Sequence, residues 1–394
     1  MITDLPSTTT AAVNKKLIEL RERGGAVALG RVLTMVIVTN DDRTETVIDA
    51  ANDASREHPC RVIVLARGTR QAAARLDAQI RVGGDAGASE VIVLRVYGPL
   101  AGEGASVVVP FLLPDAPVVA WWPGEAPDVP ADDPVGSLAT RRITDSAATR
   151  NPLKTLLQRR DAYREGDTDL AWTRLTLWRG LLAAALDQPP HEDIDRAVVS
   201  GAVGSPSTDL MAAWLAARLK VPVIRAKADV PAGLESVRLE RRSGDVILAR
   251  PDGKIGTLTQ PGQPDRRVPL ARRSLRDCLS EELRRLDADE IYHESLQSLP
   301  DVRRGRAPAP RTAPADAAPV RSAKAAKAAS ARGATATEPK ATTGKTTTSR
   351  AATGKAAAGK SAAGKSAAGK SAQDKAAQGK ASQGKAAQGK GKSA

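Results

Sequence analysis

The apolar positions of this chain change period several times, and each change predicts an element. Residues 7–23 open Ser-Thr-Thr-Thr and continue with Val13, Leu17, Ile18 and Leu20 at helical spacing. That predicts a capped amphipathic helix, stopped by Gly24-Gly25. Residues 32–38 are almost continuously apolar and β-branched, as in a buried strand. Asp41-Asp42 turns the chain into a helix over 44–57, Pro59 breaks it, and residues 61–66 form a second apolar strand. Strand, helix, strand in that order predicts a parallel, right-handed βαβ unit. Residues 78–82 and 90–97 alternate as strands do, around a glycine-rich segment at 83–87. Residues 106–113 are apolar with Pro110 inside, and the pattern leaves helix and strand both open. Asp115 to Gly124, Asp-Ala-Pro-Val-Val-Ala-Trp-Trp-Pro-Gly, predicts a short strand ending in a turn.

Beyond a Pro- and acid-rich loop at 128–133, residues 140–149 lead back toward the core, and 151–187 read as helices with Pro152 in a first turn. Leu170, Trp172, Leu175, Leu177, Trp178, Leu181, Leu182 and Leu186 are apolar on more than one helical face, which predicts packing between two halves of the protein. Residues 193–200, a loop at 201–209, a helix carrying Leu210, Met211, Trp214, Leu215 and Leu219, and residues 221–227 form a second βαβ pattern. From 234 to 270 the chain becomes short strands separated by hairpin turn signals, and 274–299 closes with two helices. The expected fold class is therefore α/β, with two α/β domains and mixed sheets. The first spans 1–150. The second spans 151–300, with linking helices, an antiparallel meander and C-terminal helices.

Charge separates the rest of the chain from these domains. The formal charge is +14, yet residues 303–394 hold 20 Lys+Arg against Asp316, Glu338 and Asp374, so the part before Arg303 is mildly acidic. From Lys340 to Lys390 every fifth residue is basic. Five residues advance a helix by about 500°, so these charges form no helical face. Frequent glycine disfavours a helix further. Residues 301–394 are expected to be a long disordered basic tail. Such a tail can contact a polyanion through 303–394, but it carries no aromatic residue for base stacking. Keeping the protein in solution is an equal alternative. The two cysteines, Cys60 and Cys278, form no disulfide framework. Neither an apolar leader within the first 23 residues nor a run of about 18 apolar residues is present, so no signal peptide or membrane span is expected.

Candidate chemistry is sparse. Gly-x-x-x-x-Gly-Lys-Ser occurs at 354–361, 359–366 and 364–371, but within a five-residue repeat rather than between a strand and a helix. A phosphate-binding loop needs that strand and helix. Gly83-Gly84-x-x-Gly87 lacks dinucleotide spacing and predicts a tight turn between strands. His58-Pro59-Cys60 suggests either a reactive thiol or a core thiol. The loop at 201–209 is the best small-molecule candidate: Gly204, Ser205, Ser207 and Thr208 stand at a helix N-terminus, where amides can meet a phosphate. The same residues also suit an ordinary helix cap, and no Lys or Arg lies in the loop. Trp121 and Trp122 point to opposite faces of one strand. Either both faces are covered, or one indole, with Pro123, is exposed as an anchor for a partner. No catalytic constellation, metal ligand set or cofactor site emerges.

Several of these stretches resemble one family. Val-Ile-Val-Thr (36–39), residues 51–64 from Ala-Asn-Asp-Ala-Ser to Val-Ile-Val, residues 78–91 around Gly-Gly-Asp-Ala-Gly, Val-Ala-Trp-Trp-Pro-Gly-Glu-Ala-Pro (119–127) and Gly-Ser-Pro-Ser-Thr-Asp-Leu-Met-Ala-Ala-Trp-Leu (204–215) are similar to the glucose-6-phosphate dehydrogenase assembly protein family, OpcA. The resemblance runs in order over residues 1–300 and does not extend to the tail. It implies a cytoplasmic, non-catalytic protein without cofactor. The implied partner is the dehydrogenase that opens the oxidative pentose phosphate pathway, whose oligomer the family assembles and activates. Members from photosynthetic organisms are linked to thioredoxin control. With Cys60 and Cys278 as the only cysteines, that property is not carried over to this chain.

Overall fold

The structure is a computed structural model that describes residues 1–23, 31–82, 90–231 and 233–309. The Gly24-Gly25 stop, the turn at 83–87, and the tail from 310 onward with its three phosphate-loop-like matches lie outside the described residues. Nine helices are named here: α1 (Thr10–Arg23), α2 (Thr44–Ser55), α3 (Gly104–Val108), α4 (Pro152–Asp161), α5 (Leu170–Thr173), α6 (Thr176–Leu186), α7 (Pro206–Leu219), α8 (Leu275–Arg284) and α9 (Glu290–Gln297). The strands of the first sheet are β1 (Ile2–Leu5), β2 (Leu33–Asn40), β3 (Cys60–Arg67), β4 (Arg75–Arg81), β5 (Glu90–Tyr97), β6 (Val118–Trp121), β7 (Arg141–Thr144) and β8 (Asp167–Asp169). Those of the second are β9 (Arg196–Gly201), β10 (Val223–Lys227), β11 (Leu234–Glu240), β12 (Val246–Ala249), β13 (Ile255–Thr259), β14 (Arg266–Pro269) and β15 (Val302–Gly305).

Both βαβ patterns form as expected. β2 and β3 pair in parallel around α2, and β9 and β10 pair in parallel around α7. The first sheet has the order β1-β4-β5-β3-β2-β6-β7-β8, parallel from β5 to β8, with β4 and β1 antiparallel at its edge. The second has the order β14-β13-β12-β11-β9-β10-β15, in which β11 to β14 are the antiparallel meander. Four strands were not legible in the sequence. β7 lies in the segment 140–149, which reads only as leading back toward the core. β1 alternates weakly at an edge, and β8 is the three residues Asp-Thr-Asp inside the segment read as helical. β15 falls at the start of the segment read as tail and pairs in parallel with β10. The open segment at 106–113 is resolved as α3 followed by a 3-10 turn at Val109–Phe111.

The central strands read as unbroken apolar runs because both faces of the first sheet are covered. On one face Val36, Val38, Ile63 and Leu65 pack against Val13, Leu17 and Leu20 of α1. On the other, Met35, Ile37, Val62 and Val64 pack with Val47, Ile48 and Ala51 of α2. That second face also receives Cys278, Leu279 and Leu283 of α8, a helix from the far end of the folded chain. A third core lies on the second sheet, where Leu210, Met211 and Leu215 of α7 meet Trp172, Trp178 and Leu182. The chain crosses between cores within α5: Leu170 belongs to the first sheet's core, Ala171 and Trp172 to the second's.

A buried polar joint fixes that crossing. Glu282 of α8 accepts hydrogen bonds from Arg141 of β7 at 3.1 Å (Nε) and 2.5 Å (Nη2). It also accepts from Thr168 of β8 and from the Thr173 hydroxyl of α5. Arg141 Nη1 donates to the Asp287 carbonyl at 2.6 Å. Nearby, Asp169 is fully buried and accepts from the Thr144 hydroxyl, the Ser146 amide and hydroxyl, and the Ala171 amide, at 2.8–2.9 Å.

A second buried carboxylate ties α1 to the sheet. Glu90, at the start of β5, accepts from Arg21 (Nε and Nη2, both 2.8 Å) and from Arg61 Nε at 2.8 Å. Burial pushes its carboxyl up, but the Arg21 hydrogen bond and the charges of Arg61 and Arg31 outweigh this and hold it below its ordinary value of 4.5. A depressed carboxyl stabilises the fold above that ordinary value, and the contribution is lost as pH falls through the folded value. Glu90→Gln is therefore expected to be less stable at pH 7 and to decline less between pH 7 and the acid limit than the parent. Denaturant midpoints measured across that range check this; parallel curves would contradict it.

Candidate functional site

The loop from β9 into α7 closes because of two glycines. A Cβ on Gly201 would lie 2.4 Å from Thr208 Oγ1 and 2.5 Å from the Gly233 carbonyl oxygen. Gly204 takes φ 69°, a left-handed turn that suits glycine. Ser205 then caps α7: its side-chain oxygen accepts from the Thr208 amide at 3.3 Å and from the Thr208 hydroxyl at 2.9 Å. The Ser207 hydroxyl donates to the Ala171 carbonyl at 2.8 Å and ties α7 to α5. Thr208 is fully buried. Of the two readings of Ser205, Ser207 and Thr208, the geometry realises the cap, and their hydroxyls are engaged within the fold.

What the loop lacks, distant segments supply. Gly204, Ser205 and Ser207 border a cavity of about 210 Å³ whose walls include Arg174, Trp178, Arg250 and Arg272. Arg174 donates to both oxygens of Asp145, at 2.8 and 2.6 Å. Burial works against its charge, and the Asp145 pairing prevails, raising the guanidinium above its ordinary range. Arg250 donates to the Leu270 and Leu234 carbonyls at 2.7 and 2.8 Å and lies 5.2 Å over the Trp178 ring. Burial, and then the charge of Arg272, lower it. Neither Arg250 nor Arg272 forms a close ion pair among the described residues; Asp252 and Asp145 act on them only at longer range. Both lie far along the chain, after β12 and before α8, so no local motif announced them.

Trp121, Trp122 and Pro123 require a correction. The exposed-anchor alternative is not what the structure shows. Trp121 has no accessible surface and Trp122 only 1%. Trp121 packs in the core shared with α2 and α8, and Trp122 in the core shared with α1 and α3. The physical reason is that α8 returns to close the face an isolated first half would leave open. Pro123 is half-buried. The structure does not bring the Trp121–Pro123 turn and the Gly204–Thr208 loop to one cavity.

Both thiols are core residues. Cys60 and Cys278 are in no disulfide, are fully buried, and belong to the same apolar cluster. Burial pushes the Cys278 thiol up to about 11, so the thiolate that reacts is scarce at neutral pH. Neither cysteine is expected to react with a thiol reagent in the native protein, and both should react in denaturant. Rapid labelling of either in the native state would contradict this burial. Among the described residues no group of three or more His, Cys, Asp or Glu is placed to hold a metal ion, and no helix is long and apolar enough to cross a membrane.

Comparison with known proteins follows the same order along the chain. Residues 51–161 match the family model for the glucose-6-phosphate dehydrogenase subunit N-terminal domain, and residues 165–296 match that for its C-terminal domain. The OxPP cycle protein OpcA of Synechococcus elongatus is 28% identical over 197 residues, covering 46% of this chain and 44% of that protein. Its namesake in Nostoc punctiforme is 27% identical over 217 residues, covering 51% and 43%. The chain thus spans less than half the length of the curated relatives it matches. Among solved structures, a 3-ketoreductase from Actinomadura kijaniata overlaps 70% of this chain and 100% of its own at TM-score 0.39 and 9% identity. A Gfo/Idh/MocA family oxidoreductase from Vibrio cholerae overlaps 68% and 94% at TM-score 0.28 and 9% identity. Those scores carry no argument about function. With two consecutive domain matches in the expected order, the chain belongs to the glucose-6-phosphate dehydrogenase assembly protein family, OpcA.

Proposed function

We propose that this protein is a non-catalytic assembly factor and allosteric activator of glucose-6-phosphate dehydrogenase, acting in the cytoplasm at the entry to the oxidative pentose phosphate pathway. The observation that carries this reading is the pair of consecutive matches to the N- and C-terminal domains of a dehydrogenase subunit. An activator must bind the active form of its partner more tightly than the inactive one, and a tenfold population shift needs about 1.4 kcal/mol of such preference. The test mixes the purified protein with its cognate dehydrogenase and follows oligomer size, kcat and KM. A change in any of them supports the proposal; no change in all three removes it. A chain ended after residue 309, which keeps β15, should activate as well as the full protein if the tail is accessory. Any salt-sensitive binding to DNA should fall sharply with that truncation, which leaves Arg303, Arg304 and Arg306 in place, if residues 303–394 supply the polyanion contact.

One observation favours a second reading, a sugar-phosphate-binding protein using the Gly204–Thr208 cleft: Arg250 and Arg272 face it without a close ion-pair partner. Calorimetry with a sugar phosphate separates the readings, since Arg272→Ala should abolish binding in that cleft.

A further inference from the structure

The parallel strands of the first sheet run β5-β3-β2-β6-β7-β8, so the strand order reverses between β2 and β6. Where the order reverses, the connections on either side leave in opposite directions and open a crevice outside the carboxyl ends of the strands. Here a cavity of about 610 Å³ lies at that point, bordered by residues 38–40 ending β2, Arg67 ending β3 and Trp122 just past β6. Arg43, Arg70 and Arg150 also face it. Arg67 lies 3.5 Å from Asp133, whose carboxylate also accepts the Val135 amide at 2.9 Å. Glu125 accepts the Arg150 backbone amide at 2.8 Å. The guanidinium groups of Arg43, Arg70 and Arg150 have no hydrogen-bond or ion-pair partner among the described residues, and Asp42 is the remaining carboxylate on the rim. No side chain caps the N-terminus of the twelve-residue helix α2, which begins at the same rim.

This arrangement selects a chemistry. The turn Asn40-Asp41-Asp42-Arg43 contains no glycine, so the entry to α2 lacks the glycine-lined turn that a dinucleotide pyrophosphate uses. The available donors are guanidinium forks, which match the oxygens of a phosphate in two-point geometry. We propose that this crevice binds a phosphomonoester of a small polar metabolite through Arg43, Arg70 and Arg150. The site is separate from the Gly204–Thr208 cleft, and the proposal does not rest on the dehydrogenase reading.

The test is calorimetric titration of the full chain, with no dehydrogenase present. The probes are glucose 6-phosphate and adenosine monophosphate, with inorganic phosphate as the bare-anion reference. At least one ester is expected to bind more tightly than inorganic phosphate, and the two arms tell a sugar body from a nucleoside one. Arg43→Gln combined with Arg70→Gln is expected to weaken that ester tenfold or more, while Arg272→Gln in the other cleft leaves it unchanged. Both substituted side chains are exposed and unpartnered, so the thermal midpoint should not move. The proposal is overturned if neither ester binds, if inorganic phosphate binds as tightly as both, or if Arg272→Gln rather than the Arg43/Arg70 pair removes binding.

Discussion

Trp121→Ala is expected to destabilise the protein by about 3–5 kcal/mol, and Trp122→Ala by a similar amount, the range for emptying a buried large aromatic site. Each indole fills a different core, so the two variants damage opposite faces of one short strand. Neither indole N–H finds an acceptor among the described residues. Phenylalanine at either position therefore loses volume but no hydrogen bond, and should cost much less than alanine. Denaturant titration checks both comparisons. An alanine variant with the parent's midpoint would show that its indole is not core, and would return that face of the strand to consideration as a partner surface.

The second large effect is expected at Glu282. Removing its carboxylate leaves the Arg141 guanidinium buried without its counter-charge, which typically costs about 3–5 kcal/mol. Glu282→Ala should therefore unfold at a much lower denaturant concentration. Replacing the pair together by apolar residues of similar volume, Arg141→Met with Glu282→Leu, should recover much of the loss. The double-mutant cycle isolates the pairwise term. A Glu282→Ala variant within about 1 kcal/mol of the parent would mean that the joint contributes little beyond a surface pair.

The elements legible in the sequence were those whose burial leaves a period. Residues 33–39 are all buried, and a run of Leu-Thr-Met-Val-Ile-Val-Thr has few other uses. The meander from β11 to β14 was legible from its turn residues. What stayed hidden were contacts made across the chain. Leu279 and Leu283 are spaced for a helix, but nothing local says that they cover the sheet of the first half. The Trp121-Trp122 question could not be decided without that helix. The same limit applied to both cavities. Ser205 and Thr208 stood out because of their position at a helix start, yet they cap it, while Arg250 and Arg272 arrive from other strands and loops. At the β2–β6 crevice no spacing links Arg43, Arg70 and Arg150; only the reversal of strand order gathers them.

Strand β15 has a consequence for how this chain behaves among its own copies. It covers the outer edge of β10, pairing Val302 through Gly305 with Val223 through Ala226. Arg304 also lies 2.8 Å from the buried carboxylate of Asp209. A chain ended before Val302 would present an unpaired parallel edge, with its amides and carbonyls free to recruit a strand from another molecule. β15 is itself the outermost strand of this sheet, but it is four residues long and carries Arg303 and Arg304, so the edge it presents is short and basic, a kind that discourages pairing with another chain.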